Sequence, residues 1–138
     1  MKNSISQLDQ AYEICRKETQ KWAKTFYLGT LLLPVEKRKA IWAIYVWCRR
    51  TDEIMDSPEA SNKTQDELSD TLDEWEENTK NVFKGNIKSD LDSVLFDTID
   101  KYPQSIQPYL DMIEGQRMDL NKFRYKDFDE LKLYCYRV

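Results

Sequence analysis

The chain has 138 residues, enough for one domain with a buried core. It is 41% hydrophobic and 33% charged, with three glycines and four prolines, a profile that suits a helical globular protein. The net charge of −4 and the lack of a basic stripe with interleaved aromatics argue against a nucleic-acid binder. There is no histidine, which removes Ser-His-Asp and Cys-His catalysis, zinc–histidine sites and imidazole acid–base chemistry.

The amino terminus, Met1-Lys2-Asn3-Ser4-Ile5-Ser6, is polar and has no signal-peptide core. Leu8, Tyr12, Cys15, Thr19 and Trp22 repeat at helical spacing and predict an amphipathic helix over about 8–25. Residues 26–33 are apolar around Gly29 and read as the end of that helix or a short link. Pro34 suits the first turn of a second helix that runs to about Asp56. Ser57-Pro58 stops it, because the residue before proline is pushed out of helical geometry. Residues 59–63 are polar and read as a loop. Thr64-Gln65-Asp66-Glu67 has the form of a capping box. Leu68, Leu72, Trp75, Val82 and Phe83 then mark the inner face of a third helix that Gly85 ends. Residues 89–101 form a fourth helix with Leu91, Val94, Leu95 and Ile99 inside. After a break framed by Tyr102-Pro103 and Pro108, residues 109–120 form a fifth. A last helix follows Asp127, with Leu131, Tyr134, Cys135 and Val138 on one face. The fold class is all-α, with about six helices, and the chain stops within the last one, as a truncated domain would.

The three cysteines, Cys15, Cys48 and Cys135, are far apart and odd in number, so neither a zinc site nor a disulfide framework is indicated. Reduced thiols in a cytoplasmic setting are expected. The longest apolar run, residues 40–48, is nine residues long and too short to span a bilayer. Lys37-Arg38-Lys39 reads as a solvated helix start.

That apolar run leads straight into Arg49-Arg50-Thr51-Asp52-Glu53-Ile54-Met55-Asp56. Asp52 and Asp56 are four apart, so a helix puts both carboxylates on one face. Their mutual repulsion and the negative end of the helix dipole each cost roughly 0.3–1 kcal/mol. Something positive must compensate: a divalent metal or the neighbouring arginines. Tyr45, Arg49, Asp52 and Asp56 step by four, three and four and share one side of the helix. Carboxylates are hard ligands of the kind Mg²⁺ takes, and Arg49 offers a forked donor for phosphate oxygens. With Lys24, these groups suit a Mg²⁺-diphosphate at the mouth of an apolar cavity. The other reading is a solvated acidic helix end in which Arg49 and Glu53 form a surface pair. In favour of the metal is the adjoining helix: Trp42, Tyr45 and Trp47 point different ways, so it is expected to be buried on most sides. The clusters Thr25-Phe26-Tyr27 and Tyr134-Cys135-Tyr136 read first as core packing, and Asp119 as a surface acid.

Lys24-Thr25-Phe26-Tyr27-Leu28-Gly29-Thr30-Leu31-Leu32 and residues 38–53 closely resemble the squalene/phytoene synthase family. So do Ile106-Gln107-Pro108, Asp111-Met112-Ile113-Glu114-Gly115 and Tyr134-Cys135-Tyr136. The resemblance runs from about Leu8 to Val138 and is closest to the cyanobacterial and plant, phytoene-forming type. It implies an isoprenoid-synthase fold of helices around a deep apolar cavity, of which this chain is the amino-terminal half. It also implies head-to-head joining of two geranylgeranyl diphosphates, through a cyclopropyl intermediate, to phytoene. Mg²⁺, or Mn²⁺, is the implied cofactor, bound with the diphosphates by two aspartate-rich motifs. Asp52 and Asp56 match the first motif, Arg49 a diphosphate-binding arginine and Tyr45 a polar residue lining the site. Lys24 and Phe26 match the flap region near the substrates; Tyr134 and Val138 match the start of a cavity-lining helix. Ala23 stands where serine is usual and Gln116 where methionine is common. The second aspartate-rich motif is expected beyond residue 138, on a missing carboxy-terminal half, so the chain alone is expected to be inactive. Peripheral membrane contact is expected, with a plastid location in a photosynthetic eukaryote although no transit peptide is seen. The alternatives are a squalene or diapophytoene-type synthase fragment and a non-catalytic helical module that binds a lipid or partner.

Overall fold

The computed structural model describes residues 2–122, and the side chains of residues 7–120. Six α-helices and one 3₁₀ turn make up the described residues, with no strand among them: α1 (Lys2–Trp22), α2 (Lys24–Thr30), α3 (Val35–Asp56), the 3₁₀ turn (Pro58–Asn62), α4 (Gln65–Phe83), α5 (Asp90–Lys101) and α6 (Gln107–Lys122). The helix expected after Asp127, with Tyr134, Cys135 and Val138, lies outside the described residues. The chain divides into two compact units. The first takes in residues up to Arg49 together with Asn81–Gln104; the second takes in Arg50–Lys80 and the residues from Ser105 onward.

In the first unit, α1 packs against α5 and α2. Ala11, Tyr12 and Cys15 from α1 meet Tyr27 from α2, Trp42, Ala43 and Val46 from α3, and Val94 from α5 in one core cluster. Trp42 and Trp47 are both buried, as the apolar run predicts. The Trp42 indole stacks on Tyr27 with ring centroids 5.8 Å apart, and its Nε1 donates to Thr30 Oγ1 at 2.9 Å. Both indole requirements, apolar contact and a hydrogen-bond acceptor, are thus met inside the core. Tyr12 donates its hydroxyl to Asp97 Oδ2 at 2.6 Å. Burial first, and then the Asp97 bond, push the Tyr12 phenol above its ordinary pKa.

The first helix differs from expectation at both ends. It begins at Lys2, because polar residues simply extend the downstream turn, and it ends at Trp22. Ala23 (φ −144°, ψ 67°) then serves as the N-cap of a separate helix, α2, without any side-chain capping bond. Trp22, expected on the inner face, is 47% exposed. Phe26, read first as core, is equally exposed, whereas Tyr27 is buried as predicted. Arg38 is more than a solvated charge. Its guanidinium donates to the carbonyl oxygens of Leu33 and Leu31, satisfying groups left open where α2 ends. Lys39 lies over the Tyr12 ring, 4.6 Å from its centroid.

In the second unit, Leu68 and Leu72 from α4, Leu120 from α6 and Ala60 from the 3₁₀ turn form the core, with Ile54 and Met55 of α3 packed against it. Ser57 is extended, as the following proline requires, and α3 stops at Asp56. Residues 58–62 are a 3₁₀ turn and not the loop expected, since Pro58 pre-sets its first residue and Ala60 plugs into the core. The capping box forms in both directions: Thr64 N donates to Glu67 Oε1 (3.0 Å) and Glu67 N to Thr64 Oγ1 (3.1 Å). At the far end of α4, back in the first unit, Gly85 takes φ +90°. Gly85 N donates to Val82 O and Asn86 N to Asn81 O, the paired bonds of a Schellman stop. The helix α6 starts at Gln107, earlier than expected, because Pro108 lacks only an N–H that has no partner in a first helical turn.

Candidate active site

All four residues of the predicted stripe lie on α3. Tyr45 and Arg49 belong to its stretch in the first unit, Asp52 and Asp56 to its stretch in the second.

In the first unit, the Tyr45 ring meets Phe26 with centroids 5.7 Å apart and planes tilted by 31°. Two residues singled out 19 positions apart are thereby brought together. The Arg49 guanidinium lies over the Trp22 ring, 4.1 Å from its centroid, and Lys21 Nζ is 5.0 Å from the same ring. Trp22 Nε1 donates to Glu18 Oε2 at 2.9 Å, which fixes the indole on the last turn of α1. A cation over an indole face is attracted by the ring's negative quadrupole, which restrains where the guanidinium sits. Lys24, the first residue of α2, is exposed.

In the second unit, Asp52 is half-buried and Asp56 is exposed at the end of α3. Gln116, on α6, donates from Nε2 to Asp52 Oδ1 at 3.0 Å. A carboxylate only accepts, so the amide nitrogen must face it. The amide oxygen, Gln116 Oε1, is buried with no hydrogen-bond partner among the described residues. Thr51, fully buried, accepts from Trp75 Nε1 at 2.8 Å, and Arg50 lies over the Trp75 ring at 4.7 Å.

The placement of α6 is set one residue further on. Arg117 donates to Glu76 Oε1 at 2.7 Å and Asp73 Oδ1 at 2.8 Å on α4, and to Glu114 on its own helix. Burial opposes the Arg117 charge, but bonds to the three carboxylates outweigh it and hold the guanidinium above its ordinary pKa. Bonds from Lys80 and then Arg117 hold Glu76 below the usual carboxylate value. Leu120, one turn beyond Gln116, seats α6 in the core.

Sequence reasoning missed Trp22 and Trp75 as partners of the arginines, and noticed Gln116 only as a departure. Asp119 is half-buried, not a plain surface acid. Tyr134 and Val138 lie outside the described residues.

Among the described residues, no three acidic or thiol groups cluster as a metal cage. The donor set does fit Mg²⁺, which keeps several waters and takes one or two carboxylates plus substrate phosphate. A buried, unpartnered amide oxygen beside Asp52 fits such a hydrated ion.

The family model described as squalene/phytoene synthase matches residues 19–138. The chain belongs to the squalene/phytoene synthase family. Among curated members of that family, the 15-cis-phytoene synthase of Synechocystis sp. is 56% identical over 131 residues, 95% of this chain and 38% of its own length. The phytoene synthase of Arthrospira platensis is 57% identical over 93% of this chain and 40% of its own. Phytoene synthase 1, chloroplastic, of Arabidopsis thaliana is 55% identical over 98% of this chain and 31% of its own. This family member therefore spans less than half the length of the curated relatives it matches. Two solved structures share its fold at 26% identity. A dehydrosqualene synthase in complex with ligand has a TM-score of 0.73, over 96% of this chain and 44% of its own. A squalene synthase of Alicyclobacillus acidocaldarius has 0.72, over 94% and 47%. The all-α, isoprenoid-synthase-type architecture expected from the sequence is the one found.

Proposed function

We propose that this chain supplies the first carboxylate clamp of an enzyme that joins two geranylgeranyl diphosphates head to head, through a cyclopropyl diphosphate, to phytoene, the first committed step of carotenoid biosynthesis. The observation that carries the reading is 54–57% identity to phytoene synthases across nearly the whole chain. The much lower 26% identity to the squalene-type structures weighs against a squalene or diapophytoene product. The reading takes residues 1–138 as the amino-terminal part of one synthase domain, with a second clamp elsewhere in the whole protein.

Asp52 and Asp56 are the metal-binding carboxylates, for Mg²⁺ or Mn²⁺. A divalent ion held there would supply electrostatic neutralisation of a departing diphosphate. Arg49, held over the Trp22 ring, directs its donors to diphosphate oxygens, and Lys24 adds positive charge on the flap side. Tyr45 and Phe26 present aromatic faces to the prenyl chain, with Tyr134 and Val138 proposed as further lining. An apolar wall matters because an allylic cation must be kept from water. No nucleophilic side chain is needed, in keeping with a chain without histidine. Among the described residues no helix is long and apolar enough to cross a membrane. Peripheral membrane contact is proposed from the greasy substrate and product, and exposed Leu28, Leu32 and Val35 support it.

Two assays test the reading. Joined to the remainder of the enzyme, the chain with Asp52→Asn and Asp56→Asn should lose phytoene formation and its dependence on Mg²⁺. Retention of both would refute the clamp. The 138-residue chain alone, given geranylgeranyl diphosphate and Mg²⁺, should form little or no phytoene. Robust turnover would show that no second clamp is required.

A further inference from the structure

We propose that Gln116 is the positioning residue of Asp52, acting with both ends of its amide. The nitrogen fixes the carboxylate, and the oxygen accepts from a water in the shell of the divalent cation. The inference rests on the carboxylate-clamp reading above and adds a residue to it.

Three observations carry it. First, Gln116 Nε2 donates to Asp52 Oδ1 at 3.0 Å across 64 residues of sequence, joining α6 to the carboxylate end of α3 within the second unit. The bond engages one lone pair of Oδ1 and restrains the carboxyl rotamer. Second, that bond decides the amide orientation and leaves Oε1 buried without a donor among the described residues. A buried carbonyl oxygen is normally satisfied, and a metal-bound water is a strong donor with protons to spare. Third, the helix that carries Gln116 is anchored just beyond it. Arg117, the next residue, is clamped to Asp73 and Glu76 of α4, and Leu120 is 3% exposed in the core. Outer-shell partners of this kind fix the orientation of a metal ligand and tune its affinity. Methionine at this position can neither donate to Asp52 nor replace the amide acceptor, so the amide gives this chain a more rigid carboxylate.

The test uses the 138-residue chain, Mn²⁺ and inorganic diphosphate. In the ¹⁵N-labelled chain, substoichiometric Mn²⁺ should broaden the Gln116 side-chain amide signals early, and Asp52→Asn should abolish that broadening. Electron paramagnetic resonance titration should show Gln116→Met weakening Mn²⁺ binding about tenfold, at the lower end of losses seen when an outer-shell partner is removed. Far-UV circular dichroism checks that the variant remains folded, and the broadening in the unsubstituted chain establishes that Mn²⁺ binds beside Gln116, so that the Gln116→Met titration reads the positioning role. If Gln116→Met binds Mn²⁺ like the unsubstituted chain while Asp52→Asn does not, Gln116 has no positioning role and the clamp stands. If Asp52→Asn also binds normally, or the unsubstituted chain binds no Mn²⁺, both the clamp and the positioning role fall.

Discussion

Replacing Arg117 with methionine should cost the chain about 1.5–2 kcal/mol. Methionine keeps the apolar stem and removes only the guanidinium. Of its three carboxylate partners, Asp73 and Glu114 are 63% and 62% exposed, so solvent screening limits each to about 0.2–0.5 kcal/mol. Glu76 is 25% exposed and bonded at 2.7 Å, which places that charge-assisted bond nearer 1 kcal/mol. The cost stays moderate because Glu76 keeps Lys80 at 2.9 Å and is not stranded. A melting temperature lower by roughly 5 °C is expected. The pH dependence has a definite sign. Glu76 has a folded pKa below its ordinary 4.5, so its contribution is complete above that pH and is lost as pH falls through the lowered value. The raised Arg117 pKa lies far above any working pH and adds no further dependence there. Thermal melts of both chains from about pH 7 to about pH 2 should therefore converge on the acid side. A difference that stays constant with pH, or one above about 4 kcal/mol, would refute this account of α6.

Ala23→Ser should stabilise the chain, since Ala23 caps α2 without a side-chain bond. Its ψ of 67° is not the extended value best suited to capping, so the gain should be about 0.5 kcal/mol, read as a small rise in the calorimetric midpoint. Gly85→Ala should cost about 1–2 kcal/mol for holding alanine at φ +90°. The nearest atoms to an added Cβ are those of Phe96 at 3.6 and 3.8 Å, so no clash adds to it, and Gly85→Asn should lose less. Urea midpoints at unchanged m-value measure both. Leu72→Ala empties a fully buried position between Leu68 and Leu120 and should cost about 3–5 kcal/mol, read in the same titration.

Features with their own local chemistry were legible in the sequence. Thr64 and Glu67 capped each other, Ser57-Pro58 ended α3, and Gly85 stopped α4 as read. The break at Ala23 was not, because alanine carries no signal for leaving a helix. Nor was the start of α1, where residues 2–7 show no apolar period. The site divides in the same way. That Tyr45, Arg49, Asp52 and Asp56 share one helix was readable because helical spacing is local. The Phe26–Tyr45 and Asp52–Gln116 contacts were not, because tertiary packing alone joins them. Asp66 and Asp70 have the same spacing as Asp52 and Asp56, on an exposed stretch of α4. Spacing therefore nominates such a pair, and only the neighbourhood and the family resemblance distinguish one from the other.

The contact of Arg49 with the Trp22 ring also gives the chain an optical reporter. Of its four indoles, those of Trp42 and Trp47 are buried and that of Trp75 is half-buried, while Trp22 is 47% exposed. A collisional quencher in solution reaches Trp22 first. An anion that draws the guanidinium off the ring alters the fluorescence of that indole above all. Emission during an anion titration would then report the charges gathered at Trp22, Arg49 and Lys21 together, with no dye attached and no substrate turned over.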